Sequence, residues 1–216
     1  AIALKTKLLM NKNNQEALHY IDEQLKNNEN FYLILTKLEL LYHLKQSDKA
    51  SRWVNNLLKD YPNEVQFQLE LANLLIKEQN YNQAQLIIEQ VLAKQPDNQN
   101  AIWLLANNFL QLRHYREALD WFNSMNPGEL YSPSQLKSVQ ILNQYHDSEA
   151  ALKLLSQISL DSPETINQWL ILKSEALINK NQKRKALFII NQGLEQLPSS
   201  LPLINQKKKI LQALEE

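Results

Sequence analysis

Cysteine is absent from this 216-residue chain, and glycine occurs only twice, at Gly128 and Gly193. Without cysteine the chain can form no disulfide, bind no zinc through thiolates and carry out no thiol chemistry. Because β-rich proteins need glycine in tight turns at short intervals, so little glycine argues against sheets and for helices joined by polar corners. The abundant Leu, Ile, Ala, Gln, Glu and Lys are all compatible with helices.

The chain also lacks an excess of charge, since 23 basic residues balance 23 acidic ones. Nucleic-acid binders usually carry a basic excess to neutralise phosphates, so we expect no nucleic-acid partner. No apolar run approaches the ~18 residues that a membrane span needs, so we expect no span in this segment. Because the chain begins at Ala1 rather than Met, we expect it to be an excised part of a longer protein.

A repeat of about 34 residues organises the chain. Tyr81–Ala84 matches Tyr115–Ala118, and Pro62 and Pro96 show the same interval of 34. Around these positions, apolar residues recur at helical spacing in pairs of segments separated by short polar corners. A small residue recurs in each second helix, at Ala17, Ala50, Ala84, Ala118, Ala150 or Ala151, and Ala186.

The repeat predicts an all-α chain of about six helix-turn-helix units, at approximately 1–30, 31–64, 65–98, 99–130, 131–166 and 167–200. Residues 201–216 are predicted to cap the last unit, with Leu203, Ile204, Ile210, Leu211 and Leu214 covering it. Ser132-Pro133 and Ser162-Pro163 each predict a helix start, with serine as N-cap and proline at the first helical position. A non-repeat helical bundle is the alternative fold.

These residues resemble the tetratricopeptide repeat (TPR) family over essentially the whole chain, most strongly at 65–98 and 99–130. The resemblance implies one right-handed α-solenoid domain over 1–216, with the small residues at the close crossing of each helix pair. The pattern departs from the family at one position. TPR proteins have an aromatic residue early in the first helix of each unit, and four units of this chain have a different residue there: Ile34, Gln68, Ile102 and Leu170.

In the TPR family, the first helices of successive units line a concave groove in which partners usually lie. Carried over by alignment, the groove residues here are Tyr32, Glu39, Tyr42, His43, Gln66, Asn73, Lys77, Asn100, Trp103, Asn107, Gln111, Glu175 and Asn179. Members that clamp the acidic tails of heat-shock chaperones use Lys and Asn. Asn73 and Asn107 match that Asn, but Leu69 and Trp103 replace the Lys, so this clamp is not expected.

Trp103 has two interpretations. As a large aromatic off the predicted packing stripe, it is typical of an anchor in a binding patch. It would equally fill space against the neighbouring hairpin.

The search for catalytic chemistry found no motif. His19, His43, His114 and His146 lie far apart, and there is no zinc-protease motif, calcium loop or glycine-rich phosphate loop. We therefore expect no enzyme activity, no metal and no cofactor. The basic cluster Lys183–Lys185 is open to interpretation as contacting an acidic partner or lipid headgroups, or as solvated surface.

The predicted function is a non-catalytic scaffold or adaptor that binds a protein or peptide in its groove. By family analogy we place it in a bacterial envelope assembly machine, for pilus biogenesis, exopolysaccharide export or cytochrome c maturation, and hence in the periplasm or attached to a membrane. The alternative is a cytosolic, peptide-sensing regulatory domain. Self-association is left open, and RNA recognition is not favoured because the first helices carry no basic face.

Overall fold

A computed structural model describes residues 2–26, 30–160 and 162–215, with the side chain of Ala3 outside the description. These residues contain helices and no strand. The helices are α1 (Ile2–Met10), α2 (Asn14–Leu25), α3 (Phe31–His43), α4 (Ser47–Asp60), α5 (Val65–Lys77), α6 (Tyr81–Lys94), α7 (Gln99–Gln111), α8 (Tyr115–Asn123), α9 (Tyr131–Gln144), α10 (Ser148–Leu155), α11 (Pro163–Asn179), α12 (Lys183–Gln196) and α13 (Leu201–Glu215). Across the described ranges, no helix is both long and apolar enough to cross a membrane.

One of the two predicted helix starts is confirmed and the other is wrong. Ser162 caps α11 by accepting a hydrogen bond from the Thr165 backbone N–H, and Pro163 occupies the first turn. In contrast, α9 begins at Tyr131, so Ser132 and Pro133 lie inside its first turn. The N–H groups of a first turn have no partner within the helix, so proline is tolerated throughout that turn and does not fix where the helix begins.

Five hairpin corners share one backbone conformation, although none of them contains glycine. Each corner has one residue with a positive φ of 57 to 62°, and these residues recur at intervals of 33 to 35. In each case the next residue donates its N–H to a carbonyl five positions earlier, which is the Schellman motif that ends helices. The corner residues are Lys45, Gln79, Arg113, His146 and Asn181. The repeat found in the sequence is therefore also a repeat of the backbone.

The chain divides into two compact units, Ala1–Leu104 and Leu105–Glu216, and the boundary falls within α7. In the first unit α1 packs with α2, α3 with α4 and α5 with α6, and α3 also packs with α5. In the second unit α9 packs with α10 and α11 with α12, while α9 and α13 both pack with α11. Within each unit, first helices of neighbouring hairpins thus lie side by side. A single domain over 1–216, like the count of about six repeats, stays a prediction.

The small residues of the second helices are fully buried. Ala17, Ala50, Ala84, Ala118, Ala151 and Ala186 each have a relative exposure of 0%. Of the two alternatives near residue 150, Ala150 is only half-buried, so Ala151 occupies the repeat position. In the first helices Ala72 and Ala106 are buried equally well. This burial agrees with close helix crossings that leave no room for larger side chains.

The C-terminal helix α13 packs on the last hairpin, but only some of the leucine and isoleucine residues predicted to cover that hairpin are buried. It packs against both α11 and α12, and Leu203 and Ile210 are fully buried. Leu211 and Leu214, in contrast, are 41% and 37% exposed, so the prediction that they cover the hairpin is wrong. The reason is geometric: the neighbouring helices cover one stripe of α13, Leu211 lies beside that stripe, and Leu214 lies in the last turn of the helix.

Polar side chains join the first helices of the second unit. The Asn143 side chain on α9 donates to the backbone carbonyl of Leu172 on α11, at 2.9 Å. In return, Asn179 on α11 donates to the backbone carbonyl of Asn143, also at 2.9 Å. Gln206 on α13 donates to the hydroxyl of Ser174 on α11, at 2.8 Å. Because hydrogen bonds of buried groups depend on geometry, they fix the positions of α9, α11 and α13 relative to one another.

Glu175 lies next to these contacts and is half-buried. Burial raises the pKa of its carboxyl group, while a hydrogen bond from Asn143 and the positive charge of Lys209 act in the opposite direction. The net effect is a raised pKa, so the charged form of Glu175 is less favourable in the folded chain than in water.

Replacing Ala84 by leucine should lower the free energy of unfolding by about 1–3 kcal/mol, because a larger side chain overpacks a fully buried crossing. The same substitution at the exposed Ala93, on the same helix, should change it little. Urea unfolding of both variants provides the measurement. Equal stability of Ala84→Leu and the wild type would show that position 84 is not at a tight crossing.

Replacing Glu175 by glutamine should raise the melting temperature at neutral pH. A raised folded-state pKa means that the stability from the protonated carboxyl is present at low pH and is lost as pH rises from 4.5 through the folded-state pKa. The advantage of glutamine should therefore disappear below pH 4.5. The exposed Glu164 of the same helix is the control, and Glu164→Gln should not raise the melting temperature. A gain at Glu175 that is independent of pH would contradict the burial argument.

Candidate functional site

A groove runs between the first helices of two neighbouring hairpins, and we call it the α3–α5 groove. It has a volume of about 290 Å³. Its lining residues are Tyr32, Leu35, Thr36 and Glu39 from α3, and Glu70, Asn73, Leu74 and Lys77 from α5. The structure thus brings together four residues of the predicted partner-binding groove: Tyr32, Glu39, Asn73 and Lys77.

Helical periodicity explains why these side chains line one surface. The lining residues of each helix are spaced by three or four positions, so they form one stripe. On α3, Leu33 and Leu40 belong to a different face and are buried in the hydrophobic core. The lining residues lie beside this core cluster rather than in it, and the packing of α3 beside α5 places the two stripes next to each other.

The groove combines an aromatic anchor with charges of both signs. Tyr32 is 52% exposed, while Leu35 and Leu74 are half-buried. The ammonium of Lys77 lies 3.4 Å from a carboxylate oxygen of Glu39. Such an exposed ion pair contributes only about 0–1 kcal/mol, so either partner is able to rearrange when a ligand binds. Glu70 accepts a hydrogen bond from Gln66, at 3.1 Å.

Three aromatic rings hold α3 and α5 together beside Tyr32. Phe31 stacks on Phe67, with ring centroids 4.4 Å apart. Tyr61 meets both rings edge-on, at 5.2 and 5.3 Å. Aromatic pairs in these geometries stabilise a contact beyond simple burial, so the cluster fixes the spacing of the two helices at this end of the groove.

The other predicted site residues of the first unit lie outside the lining of the α3–α5 groove. Tyr42 is half-buried, and its hydroxyl accepts a hydrogen bond from Asn80 at 3.1 Å. Trp103 is also half-buried, so the structure leaves both interpretations of this residue open. His43, Gln66 and Asn100 are exposed.

Four predicted site residues belong to the second unit. Asn107 is half-buried and Gln111 is exposed, both at the end of α7. Glu175 and Asn179 lie on α11, where both interact with Asn143 of α9. These last two residues therefore contribute to the packing of α11 against α9.

Among the polar residues that line the groove, sequence reasoning missed two, Thr36 and Glu70. Both could have been found from helical periodicity, since Thr36 lies four residues after Tyr32 and Glu70 lies three residues before Asn73. The aromatic cluster was missed as well. Phe31 and Phe67 are 36 residues apart and thus fall outside the 34-residue register, so the repeat gave no signal for their contact.

Residues 75–129 match a family model described as Tetratricopeptide repeat. A TPR repeat-containing protein of Pseudomonas aeruginosa is 31% identical over 87 residues. That match covers 40% of this chain but only 15% of the relative. The chain thus corresponds to a small part of that protein's length.

Several solved structures share the fold. PilW, described as a widely conserved type IV pilus biogenesis factor, has a TM-score of 0.62 and 16% identity, covering 94% of this chain and 97% of PilW. YrrB, described as a TPR protein with an unusual peptide-binding site, has a TM-score of 0.58 and 15% identity, covering 87% and 97%. A thermophilic TPR protein of Thermus thermophilus has a TM-score of 0.57 and 21% identity, covering 84% and 99%.

Identities this low support the fold and nothing more specific. The repeated helical pairs, their recurring corners and these structural matches nevertheless agree, and the predicted fold class is confirmed. Residues 75–129 thus match the tetratricopeptide repeat family model, and the chain shares the fold of solved TPR proteins.

Proposed function

We propose that this chain is a non-catalytic scaffold that binds a peptide segment of a protein partner, with the α3–α5 groove as its main site. One observation carries the proposal: the groove brings together Tyr32, Glu39, Asn73 and Lys77, which were assigned to partner binding by alignment alone. TPR proteins generally act as scaffolds for other proteins, and the described peptide-binding site of YrrB supports a peptide as the ligand.

The groove suits a short extended segment with an apolar side chain. Tyr32 offers an exposed aromatic face, and tyrosine is among the residues that most often dominate binding energy. Leu35 and Leu74 provide a half-buried apolar surface between the helices. The exposed amide of Asn73 is able to donate to and accept from a peptide backbone. Such a site recognises shape and main-chain polar groups rather than a strongly charged ligand.

An acidic C-terminal tail does not suit this groove. Lys77 is the only cation among the residues that line it, and it is already paired with Glu39, while Glu70 adds a second negative charge. Leu69, which replaces a clamp lysine of the family, is 4% exposed and belongs to the core. A peptide carrying a neutral or basic residue is therefore a better match than a carboxylate-rich one.

For the biological process, we propose assembly of a bacterial cell-envelope machine, with pilus biogenesis as the first candidate. The support is the similarity in fold to PilW and to PilF of Pseudomonas aeruginosa, which has a TM-score of 0.55 and 13% identity. In this proposal the chain works in the periplasm or attached to a membrane.

Replacing Tyr32 by alanine should weaken peptide binding by about 2 kcal/mol or more, because it removes the aromatic anchor of the groove. The probes are dodecapeptides selected against the wild-type chain from a random phage library, and fluorescence anisotropy measures their affinity. The melting temperature should stay nearly constant, because Tyr32 is 52% exposed.

Leu86 provides the matched control, since it is a large apolar residue that is 61% exposed on a second helix of the same unit. Leu86→Ala should leave peptide affinity unchanged. If Leu86→Ala weakens binding while Tyr32→Ala does not, the partner binds the second helices and the proposed site is wrong. Failure to select any binding peptide would also count against the proposal.

A further inference from the structure

Three side chains able to ligate a metal ion meet beside the α3–α5 groove. They are Glu39 and His43 on α3 and Glu78 directly after α5. One donor atom from each residue lies within 4.8 Å of the donor atoms of the other two. Glu39 and Glu78 are half-buried, whereas His43 is exposed. Within the described ranges, this is the one group of three or more such residues that meets this distance.

The backbone explains why the side chains of Glu39, His43 and Glu78 lie close together. Glu39 and His43 are four residues apart, so they occupy the same face of α3. Glu78 is the C-cap of α5, and the positive φ of Gln79 then turns the chain into the corner. The corner is held against α3 by the hydrogen bond from Asn80 to the hydroxyl of Tyr42. The third donor thus comes from a neighbouring hairpin whose position relative to α3 is fixed by packing.

The donor set indicates the class of ion. One imidazole nitrogen and two carboxylate oxygens suit Zn²⁺, Co²⁺ or Ni²⁺, whereas Mg²⁺ and Ca²⁺ prefer six or more oxygen ligands. Ligand bonds of about 2.0–2.2 Å separate the donors of a tetrahedral site by about 3.4 Å. Since no two donor atoms are more than 4.8 Å apart, they need to approach by about 1.4 Å at most, which side-chain rotation supplies most readily at the exposed His43.

Lys77 contacts this cluster through Glu39. Its ammonium lies 3.4 Å from Glu39, but its side chain is 70% exposed. An ion pair of this kind is weak, and the lysine is able to move into solvent when a divalent ion takes its place beside the carboxylate.

We propose that Glu39, His43 and Glu78 form a binding site for one divalent transition-metal ion of the Zn²⁺ class. Three protein donors leave a fourth position for water or for another ligand. The site goes beyond the scaffold function and departs from the sequence expectation of no metal. That expectation compared the histidines with one another, whereas the cluster combines one histidine with carboxylates from two hairpins.

Isothermal titration calorimetry of the chain with ZnCl₂ tests the site. The wild type should bind one Zn²⁺, and His43→Gln and Glu78→Gln should each weaken the affinity at least tenfold. Millimolar Mg²⁺ or Ca²⁺ should not displace the bound Zn²⁺. Melting curves recorded in EDTA should coincide for all variants, which separates loss of a ligand from loss of the fold.

His19→Gln is the matched control. His19 is exposed on a helix and lies four residues before Glu23, so it forms the same type of pair without belonging to a three-donor cluster. This variant should bind Zn²⁺ as the wild type does. The proposal is overturned if the wild type binds no Zn²⁺, if His43→Gln or Glu78→Gln retains full affinity, if His19→Gln loses as much affinity as they do, or if Mg²⁺ or Ca²⁺ displaces the ion.

Discussion

Close crossing of two helices is the constraint on which each hairpin of this chain depends. In the second helices, a fully buried alanine recurs at every repeat position, from Ala17 to Ala186. A larger side chain there would push the helices apart, and a single hairpin cannot bury its apolar faces without neighbours. The corners follow the same period, because each helix pair has to reverse direction over the same short distance. At Gln79 and Arg113 the chain accepts a left-handed backbone conformation without glycine, at a cost of roughly 1–2 kcal/mol for each residue.

The same constraint creates the candidate binding surface. Once hairpins stack, first helices of neighbours lie side by side, as α3 and α5 do. Each helix buries one face in the core and leaves a stripe of other residues beside the stripe of its neighbour. The α3–α5 groove is the space between two such stripes. Tyr32 remains half-exposed there, although burying an aromatic ring of this size would stabilise the chain. The proposed peptide site accounts for this exposure, because a bound peptide would cover the Tyr32 ring.

The features that recur with the 34-residue repeat could be predicted from the sequence. The helical pairs, their polar corners and the start of α11 were predicted because apolar spacing, N-caps and polar corners are local features. The groove residues on α3 and α5 were instead implied by the resemblance to the TPR family, and their spacing on each helix follows the helical period. Contacts outside that period were missed. The stacking of Phe31 on Phe67 and the approach of Glu78 to His43 depend on how separate hairpins pack, which residue spacing does not encode. Second-unit residues such as Asn179 illustrate a further limit, because a groove position also serves as a packing contact.

The central claim is that the first helices, and not the second, form the binding surface of this protein. Hydrogen–deuterium exchange of the chain, with and without a saturating selected dodecapeptide, tests this claim most directly because it reports on every helix at once. The account predicts slower exchange in α3 (Phe31–His43) and α5 (Val65–Lys77), with α4 and α6 unchanged. Protection confined to α4 (Ser47–Asp60) and α6 (Tyr81–Lys94) would contradict it.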